Sequence, residues 1–173
     1  RESQGEYVIF VDSDDWIEKD AIEILVSLAL EHGADVVTSK KQTVSGESSK
    51  RIRGRDGVKV YTSAEYVELM TRPMGVFCFP WSRLVKRELF DGMRFIEGRV
   101  FEDLILMPHV IYRANKVVES QRRLYCYRRN YSSITRSRFS YKAMDEMDGY
   151  VSNVNFGDEI GNKKVVLYSI MFF

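Results

Sequence analysis

The chain has 173 residues, of which 45% are hydrophobic and 29% are charged, and these values predict one ordinary globular domain. They exclude collagen-like, disordered and disulfide-rich proteins. Lys and Arg number 26 against 25 Asp and Glu, for a formal charge of +1, which argues against a nucleic-acid partner held by overall phosphate attraction. No run reaches the roughly 18 apolar residues of a membrane-spanning helix, so we expect a soluble protein.

The two cysteines are Cys78 and Cys126. Their separation fits neither a metal knuckle nor a disulfide framework. We therefore expect both to be reduced core residues of a cytoplasmic protein.

The first predicted element is a strand at residues 7–11, where five β-favouring residues succeed one another without alternation. This pattern is typical of a strand buried on both faces, in the middle of a parallel sheet. Such a strand needs neighbours on both sides, and the later segments of the chain supply few parallel partners. We therefore expect either a piece of a longer protein or a chain that lacks its first strands.

Several further elements are predicted in chain order. Helical spacing runs from Glu18 to about Glu31 and stops at Gly33, and a short strand comes next at residues 35–38. The composition of residues 40–57 predicts an exposed hairpin or loop. The remaining elements are a helix from a capping box at residues 62–65 to Thr71, a strand at 83–86, a helix at 103–112 that Pro108 kinks or shortens, and two strands at 116–119 and 124–127 in an antiparallel flap.

Three carboxylates, Asp12, Asp14 and Asp15, come directly after the first strand. Ligands of open α/β sheets bind outside the carboxyl ends of the strands. Clustered hard oxygen ligands repel one another and suit a divalent cation, Mg²⁺ or Mn²⁺. We therefore expect a metal or phosphate site here. The alternative is a helix cap, in which Asp14 or Asp15 accepts amide hydrogens of the next helix.

A phosphatase of the haloacid dehalogenase type also places two aspartates after a hydrophobic strand, and the first of them is the nucleophile. That hypothesis makes Asp12 the nucleophile. Trp16 comes after the cluster where this type of enzyme usually has a small residue, which makes the phosphatase the second choice among enzymes.

Four ordered segments are more specific than any single motif: residues 5–16, 81–90, 95–104, and 125–128 with 133–135. Together they resemble a nucleotide-sugar glycosyltransferase of family 2. The resemblance implies a GT-A fold, which is a Rossmann-like α/β sandwich with a mixed sheet flanked by helices, here incomplete at the N-terminus. Residues 1–140 would form part of that domain, with the metal corner, acceptor side and flap, and residues 141–173 a helical extension.

The same resemblance implies an activity. The chain would move a sugar from a nucleotide-diphosphate donor, with a UDP-sugar expected, to a carbohydrate or lipid-linked hydroxyl, with inversion, in surface polysaccharide synthesis. Asp14 would bind Mg²⁺ or Mn²⁺, and Asp12 would contact the nucleotide or assist at the metal. Asp103, beside Glu102, would be the general base. The alternative for this acidic pair is a helix N-terminus.

Two further side chains are assigned to substrate binding. Arg128 would pair with diphosphate oxygens, although the six arginines between Arg122 and Arg138 also suit a solvated face or peripheral contact with an anionic membrane at its inner, cytoplasmic face. Trp81 would stack on an acceptor sugar, and a core tryptophan is the alternative. A non-catalytic scaffold or sugar-binding fragment is the remaining hypothesis.

Overall fold

The computed structural model describes residues 2–44, 54–73, 75, 78–129 and 143–172. Within them, six strands form one mixed sheet, accompanied by five α-helices and a short 3-10 helix. The strands are β1 (Tyr7–Ile9), β2 (Trp16–Ile17), β3 (Val36–Val44), β4 (Val58–Tyr61), β5 (Arg83–Lys86) and β6 (Val117–Arg128). The helices are α1 (Ala21–His32), α2 (Ser63–Thr71), α3 (Glu102–Tyr112), α4 (Ala143–Glu159) and α5 (Lys163–Ile170), and the 3-10 helix is Arg87–Phe90.

The sheet covers hydrophobic side chains on both faces. Adjacent strand residues point to opposite faces, so Val36 joins one core cluster and Val37 the other. The first cluster lies against α2, α3, α4 and α5, and the second lies against α1. This layered mixed sheet with flanking helices confirms the predicted fold class. Both cysteines are buried and free of disulfides, as expected.

The central strand is β6, which has 12 residues. It runs parallel to β3 on one side, and on its other side it pairs antiparallel with β4 near its start and with β2 near its end. The prediction of two short strands in an antiparallel flap was therefore wrong. The polar residues 120–123 continue the strand, because shifts of register opposite residues 38–41 accommodate the extra residues as bulges.

The prediction of an exposed hairpin or loop at residues 40–57 was wrong at the start of the segment and is confirmed at its end, because residues 54–57 lie in neither a helix nor a strand. Strand β3 continues to Val44, with Gln42 and Val44 buried, and β4 pairs with β6 and not with β3. Residues 45–53 lie outside the described parts of the chain.

Strand β1 lies at an edge of the sheet and pairs antiparallel with β5. The other side of β1 has no strand partner within the described residues, and the expected central position in a parallel sheet stays a prediction. The end of the apolar run packs against a distant segment, since the ring of Phe10 contacts Phe90 and Phe95 at centroid distances of 5.8 and 5.7 Å. Val11 is 43% exposed.

The predicted helix ends are confirmed where local chemistry sets them. Helix α1 ends at Gly33, whose φ of 58° is left-handed and therefore favours glycine. Helix α2 begins with the predicted capping box, in which the Thr62 side chain accepts from the Glu65 N–H and the Glu65 carboxylate accepts from the Thr62 N–H.

Helix α3 continues through Pro108 to Tyr112, so the expected shortening was wrong. Proline has no N–H, which leaves the carbonyl four residues earlier without its usual helical donor. That carbonyl belongs to Leu104, and it accepts a hydrogen bond from the buried Asn153 side chain of α4 at 3.3 Å. A neighbouring helix thus supplies the donor that Pro108 removes.

The last two helices belong to the same core as the sheet, because Phe156 of α4 and Val165 of α5 lie in the cluster formed with α2 and α3. The predicted domain boundary at residue 140 lies outside the described residues. None of the described helices has the length and apolar character needed to cross a membrane.

An ion pair between the buried Asp35 and the half-buried Lys86 joins the start of β3 to β5. The carboxylate of Asp35 lies 2.7 Å from the Lys86 Nζ, and it accepts from the backbone and side-chain amides of Asn115 at 2.7 and 3.1 Å. Burial opposes ionisation of this carboxyl, but the Lys86 ammonium and the two amide donors outweigh it and lower the pKa of Asp35.

We predict that Asp35→Asn lowers the free energy of unfolding at pH 7 by about 2 kcal/mol, the range of a hydrogen bond to a charged group. Because the folded-state pKa lies below the unfolded value, the native protein has this stabilisation above about pH 4 and loses it as the pH falls. Urea unfolding at several pH values measures the difference between the two proteins. The control is Glu88→Gln, since Glu88 is an exposed partner of Lys86 at 3.9 Å and should matter little. Equal stability of Asp35→Asn and the unaltered protein at pH 7 would contradict the assignment.

Candidate functional site

The acidic cluster forms a tight turn between β1 and β2. The Asp15 N–H donates to the Asp12 carbonyl at 3.0 Å, which closes the turn. The side chains of Asp12 and Asp14 are exposed, whereas Asp15 is half-buried. Two of the three carboxylates therefore face solvent beside a fixed backbone.

Asp15 ties this turn to the end of β6. One of its oxygens accepts from the Arg128 N–H at 2.8 Å, and the other accepts from the Tyr125 hydroxyl at 2.7 Å. The same hydroxyl accepts from the Asp12 N–H at 3.1 Å. The helix-cap alternative was wrong, because the N-cap residue of α1 is Asp20 and the Asp15 carboxylate binds β6.

The phenol of Tyr125 is held in its neutral, donating form. Burial raises the pKa of Tyr125 far above its usual value, and the Asp15 carboxylate that accepts its hydrogen raises it further, against the opposing effect of the Asp12 N–H. The hydroxyl can therefore donate to Asp15 and accept from Asp12 throughout the physiological pH range.

The N-terminus of α3 presents the second acidic pair. Phe101, directly before the helix, has a φ of 60°, a left-handed conformation that costs a bulky residue about 1–3 kcal/mol. Glu102 and Asp103 occupy the first turn, where the helix dipole favours acids. Asp103 therefore occupies the helix-terminus position that the sequence left as an alternative, and its role as general base stays a prediction.

The carboxyl group of Asp103 has a higher pKa than that of an ordinary aspartate and therefore binds a proton more readily. Burial raises the pKa of Asp103, and the neighbouring charge of Glu102 adds to this. The Leu104 N–H, which donates to Asp103 at 2.8 Å, and the charge of Arg83 oppose the shift in part.

The two acidic elements act on each other electrostatically. Partial burial raises the pKa of Asp12, and the charges of Asp15, Asp14 and Glu102 raise it further. The charge of Glu102, which is 90 residues from Asp12 in the sequence, makes the smallest of these contributions to the pKa of Asp12. A site shared by the turn and the N-terminus of α3 stays a prediction.

Trp81 lies in a stack of aromatic rings. Its ring is parallel to those of Phe79, Tyr125 and Tyr127, with centroid distances of 4.5, 4.7 and 5.7 Å. Only 7% of Trp81 is exposed. This burial favours the core alternative and leaves its binding of an acceptor sugar as a prediction.

A lysine that no sequence pattern singled out completes this group. The Nζ of Lys41 lies 4.8–5.5 Å from the ring centroids of Tyr127, Trp81 and Phe79, which is cation–π range. The rings shield the ammonium and lower the pKa of Lys41, while the Asp15 carboxylate opposes the shift. A groove of about 180 Å³ lies alongside, with Lys40, Lys41, Phe79, Trp81 and Arg83 in its walls.

Arg128 lies beside the acidic turn. Its guanidinium stands over the Trp16 ring at 5.4 Å from the centroid, while its backbone N–H binds Asp15. The arginines at 136 and 138 lie outside the described residues. The position of Arg128 is consistent with contact to an anion at the turn, which stays a prediction.

Within the described residues, no group of three or more His, Cys, Asp or Glu side chains is arranged to hold a metal ion. The oxygens of Asp15 are engaged by Tyr125 and Arg128, so the exposed carboxylates of Asp12 and Asp14 are the hard donors at the turn. Mg²⁺ commonly binds through one or two carboxylates together with waters and substrate phosphates. The donor set therefore fits a cation of this kind shared with a phosphate ligand.

Comparison with known proteins identifies the relatives of this chain. The family model described as glycosyl transferase family 2 matches residues 1–94. Glycosyltransferase GlyG of Streptococcus pneumoniae is 33% identical over 147 residues, which are 79% of this chain and 48% of GlyG. Glycosyltransferase GlyA of the same organism is 34% identical over 140 residues, which are 76% of this chain and 20% of GlyA. The chain thus spans less than half the length of these relatives.

The fold is similar to that of TarS residues 1–349 from S. aureus, solved in complex with UDP-GlcNAc. The TM-score is 0.65 and the identity 20%, and the match covers 92% of this chain and 44% of that one. The similarity establishes the GT-A fold predicted from the sequence.

We predict that Tyr125→Phe weakens the tie between the acidic turn and β6, because it removes one donor to Asp15 and the acceptor of the Asp12 N–H. The expected loss in unfolding free energy is about 1–3 kcal/mol, since these polar groups lose their partners in a partly buried place. Denaturant unfolding measures it. Tyr127→Phe is the matched control, because the Tyr127 hydroxyl makes no hydrogen bond within the described residues and its ring joins the same stack. Equal losses in the two variants would contradict a specific role for the Tyr125 hydroxyl.

Proposed function

Because the chain belongs to glycosyl transferase family 2, we propose that it transfers a sugar from a nucleotide-diphosphate donor to an acceptor hydroxyl. The observation that carries this proposal is the acidic turn after β1, where the exposed carboxylates of Asp12 and Asp14 are presented by a backbone that Asp15 ties to β6. In the proposal this turn forms a single acidic centre with the N-terminus of α3, where the charge of Glu102 helps to raise the pKa of Asp12. Since the chain spans less than half of its curated relatives, the activity of the whole protein is part of the proposal.

In this proposal Asp14 and Asp12 hold Mg²⁺ or Mn²⁺ at the turn. Their exposure and the engagement of Asp15 with β6 support this division of roles. When bound, the cation stabilises as a Lewis acid the negative charge that develops on the departing diphosphate. Asp15 and Tyr125 hold the backbone of the turn, so that the two exposed carboxylates are presented from a fixed position.

Asp103 is the proposed general base. As the acceptor oxygen forms its bond to the anomeric carbon, Asp103 takes the hydroxyl proton, and the bond from that carbon to the diphosphate oxygen breaks with its electron pair. Attack from the face opposite the leaving group inverts the anomeric configuration. The raised pKa of Asp103 suits a base, because a stronger conjugate base accepts the proton more readily. Glu102 contributes through its charge on both Asp103 and Asp12.

The expected donor is a UDP-sugar, which is consistent with the UDP-GlcNAc complex of the structurally similar TarS. In this proposal Arg128 contacts the diphosphate, which is supported by its position beside the acidic turn, where its backbone N–H binds Asp15 and its guanidinium lies over Trp16. Guanidinium groups form directional, charge-assisted hydrogen bonds with phosphate oxygens.

The acceptor is proposed to be a saccharide or a lipid-linked saccharide, as in surface polysaccharide synthesis. The groove beside Trp81, which combines aromatic rings with polar side chains, suits a sugar. The proposed location is the cytoplasm, where a lipid-linked acceptor would bring the enzyme to the inner face of a membrane.

The two other hypotheses make different predictions. Family membership does not favour a phosphatase with Asp12 as nucleophile, which would release phosphate from simple monoesters. A non-catalytic scaffold would be indifferent to changes in Asp14 and Asp103.

We predict that Asp103→Asn lowers the turnover number by ~10²–10⁴-fold, the usual contribution of a general base, with little change in donor binding. For the unaltered protein, kcat/KM should rise with pH through a pKa above the 3.8 of an ordinary aspartate, and the variant should lack this rise. Turnover of isotope-labelled UDP-GlcNAc with Mn²⁺ measures both. The control is Asp158→Asn, an exposed acid of α4. Full activity of Asp103→Asn would remove Asp103 from the mechanism.

We predict that Asp14→Ala weakens activation by Mn²⁺, because it removes one of two exposed carboxylate donors. The measurement is the Mn²⁺ concentration for half-maximal turnover of labelled UDP-GlcNAc, after the chain has been stripped with EDTA. Ser13→Ala changes the same exposed turn without touching a carboxylate and should need no more Mn²⁺ than the unaltered chain. Activity that survives EDTA, or identical Mn²⁺ curves for all three proteins, would contradict the metal assignment.

A further inference from the structure

We propose that one face of helix α4 positions the segment of residues 99–104 for catalysis, and this inference rests on the proposed function of Asp103. Four residues of α4 contact that segment, at spacings that place them along one side of a helix. They are Asp145, Asp148, Gly149 and Asn153.

Two of these contacts hold the chain just before α3. The Asp148 carboxylate binds the Arg99 guanidinium at 2.8 Å, and the Asp145 carboxylate accepts from the Val100 N–H at 3.1 Å. The first is an exposed ion pair with a small expected contribution. The second fixes a backbone group three residues before Asp103.

Asn153 holds the chain just after Asp103. Its amide donates to the Leu104 carbonyl, which lacks a helical donor because the residue four positions on is Pro108. Asn153 is 1% exposed, so water does not readily replace this bond. The N–H of the same residue, Leu104, donates to the Asp103 carboxylate. Asn153 therefore holds the residue that binds the proposed general base.

Gly149 lets the two helices approach closely at the same place. A Cβ on Gly149 would lie 2.6 Å from the Leu104 Cδ2 and 2.8 Å from its Cγ, distances that would force Leu104 to move. The helix therefore presents a small residue opposite Leu104, between the polar contacts on either side.

The segment of residues 99–104 contains a backbone conformation that is unfavourable for a bulky residue. Phe101 has a φ of 60° and stands between the two anchored residues, Val100 and Leu104. A left-handed bulky residue persists where its surroundings hold it. By anchoring both sides, α4 keeps Phe101 in this conformation and thereby fixes Glu102 and Asp103 at the start of α3. These α4 residues are positioning residues, since their contacts are with the chain and not with the substrate.

The test compares Asn153→Ala with Asn155→Ala, an exposed asparagine of the same helix, in the full chain. We expect Asn153→Ala to lower kcat for labelled UDP-GlcNAc with Mn²⁺ by ~10-fold or more, because displacements of about 1 Å can cost ~10²-fold in rate. KM for the donor should stay unchanged. Asp145→Ala should act in the same direction, and Asp145→Asn should restore kcat because it keeps an oxygen acceptor for the Val100 N–H.

Amide hydrogen exchange of residues 99–104 supplies a readout that does not depend on activity. We expect faster exchange at Val100 and its neighbours in Asn153→Ala and Asp145→Ala than in Asn155→Ala, at temperatures where all remain folded. Unchanged exchange in both variants would overturn the contact. Faster exchange with unchanged kcat would overturn the positioning role. An unaltered chain that turns over no UDP-sugar would contradict the proposed function instead, and exchange would still decide whether α4 holds the segment.

Discussion

The site depends on the two hydrogen bonds that the Asp15 carboxylate accepts from β6. One side chain receives donors from both the Tyr125 hydroxyl and the Arg128 backbone, and this joins the turn after an edge strand to the end of the central strand. Without it, Asp12–Asp15 would be an exposed loop beside β1, which is only three residues long. The charges of Asp15 and Asp14 repel that of Asp12 and raise its pKa. A divalent cation would relieve this repulsion.

The course of strand β6 explains why its end lies beside the acidic turn, where Asp15 can bind it. Strand β6 runs parallel to β3 along most of its length, and its end pairs with β2, the strand directly after the acidic turn. The aromatic stack around Trp81 includes Tyr125 and Tyr127 from the same strand end. Strand β6 therefore contributes Tyr125, which binds the acidic turn, as well as two rings of the aromatic stack and Arg128.

The features of the structure that local sequence determines could be predicted. The capping box at Thr62, the stop at Gly33 and the acidic turn each depend on a few consecutive residues, and each is found where expected. The motifs around Asp12 and Asp103 also pointed to one site, through their resemblance to a family and not through spacing alone.

The errors concern pairings between distant segments. The antiparallel pairing of β1 with β5 and the continuity of β6 depend on neighbours that no local pattern names. The persistence of α3 beyond Pro108 depends on Asn153, 45 residues later, and the roles of Tyr125 and Lys41 depend on contacts across the sheet. A proline usually indicates a break because its own helix cannot replace the lost donor, and here another helix does.

The acidic turn and the N-terminus of α3 are proposed to form one centre for a cation and a nucleotide diphosphate. Paramagnetic broadening tests this claim most directly, with Mn²⁺ and UDP added to the ¹⁵N-labelled chain at substoichiometric metal. We expect the amide signals of residues 12–16 and of residues 102–104 to broaden together, and Mg²⁺ in excess to reverse the effect. Broadening at only one of the two segments, or at neither, would contradict a shared centre.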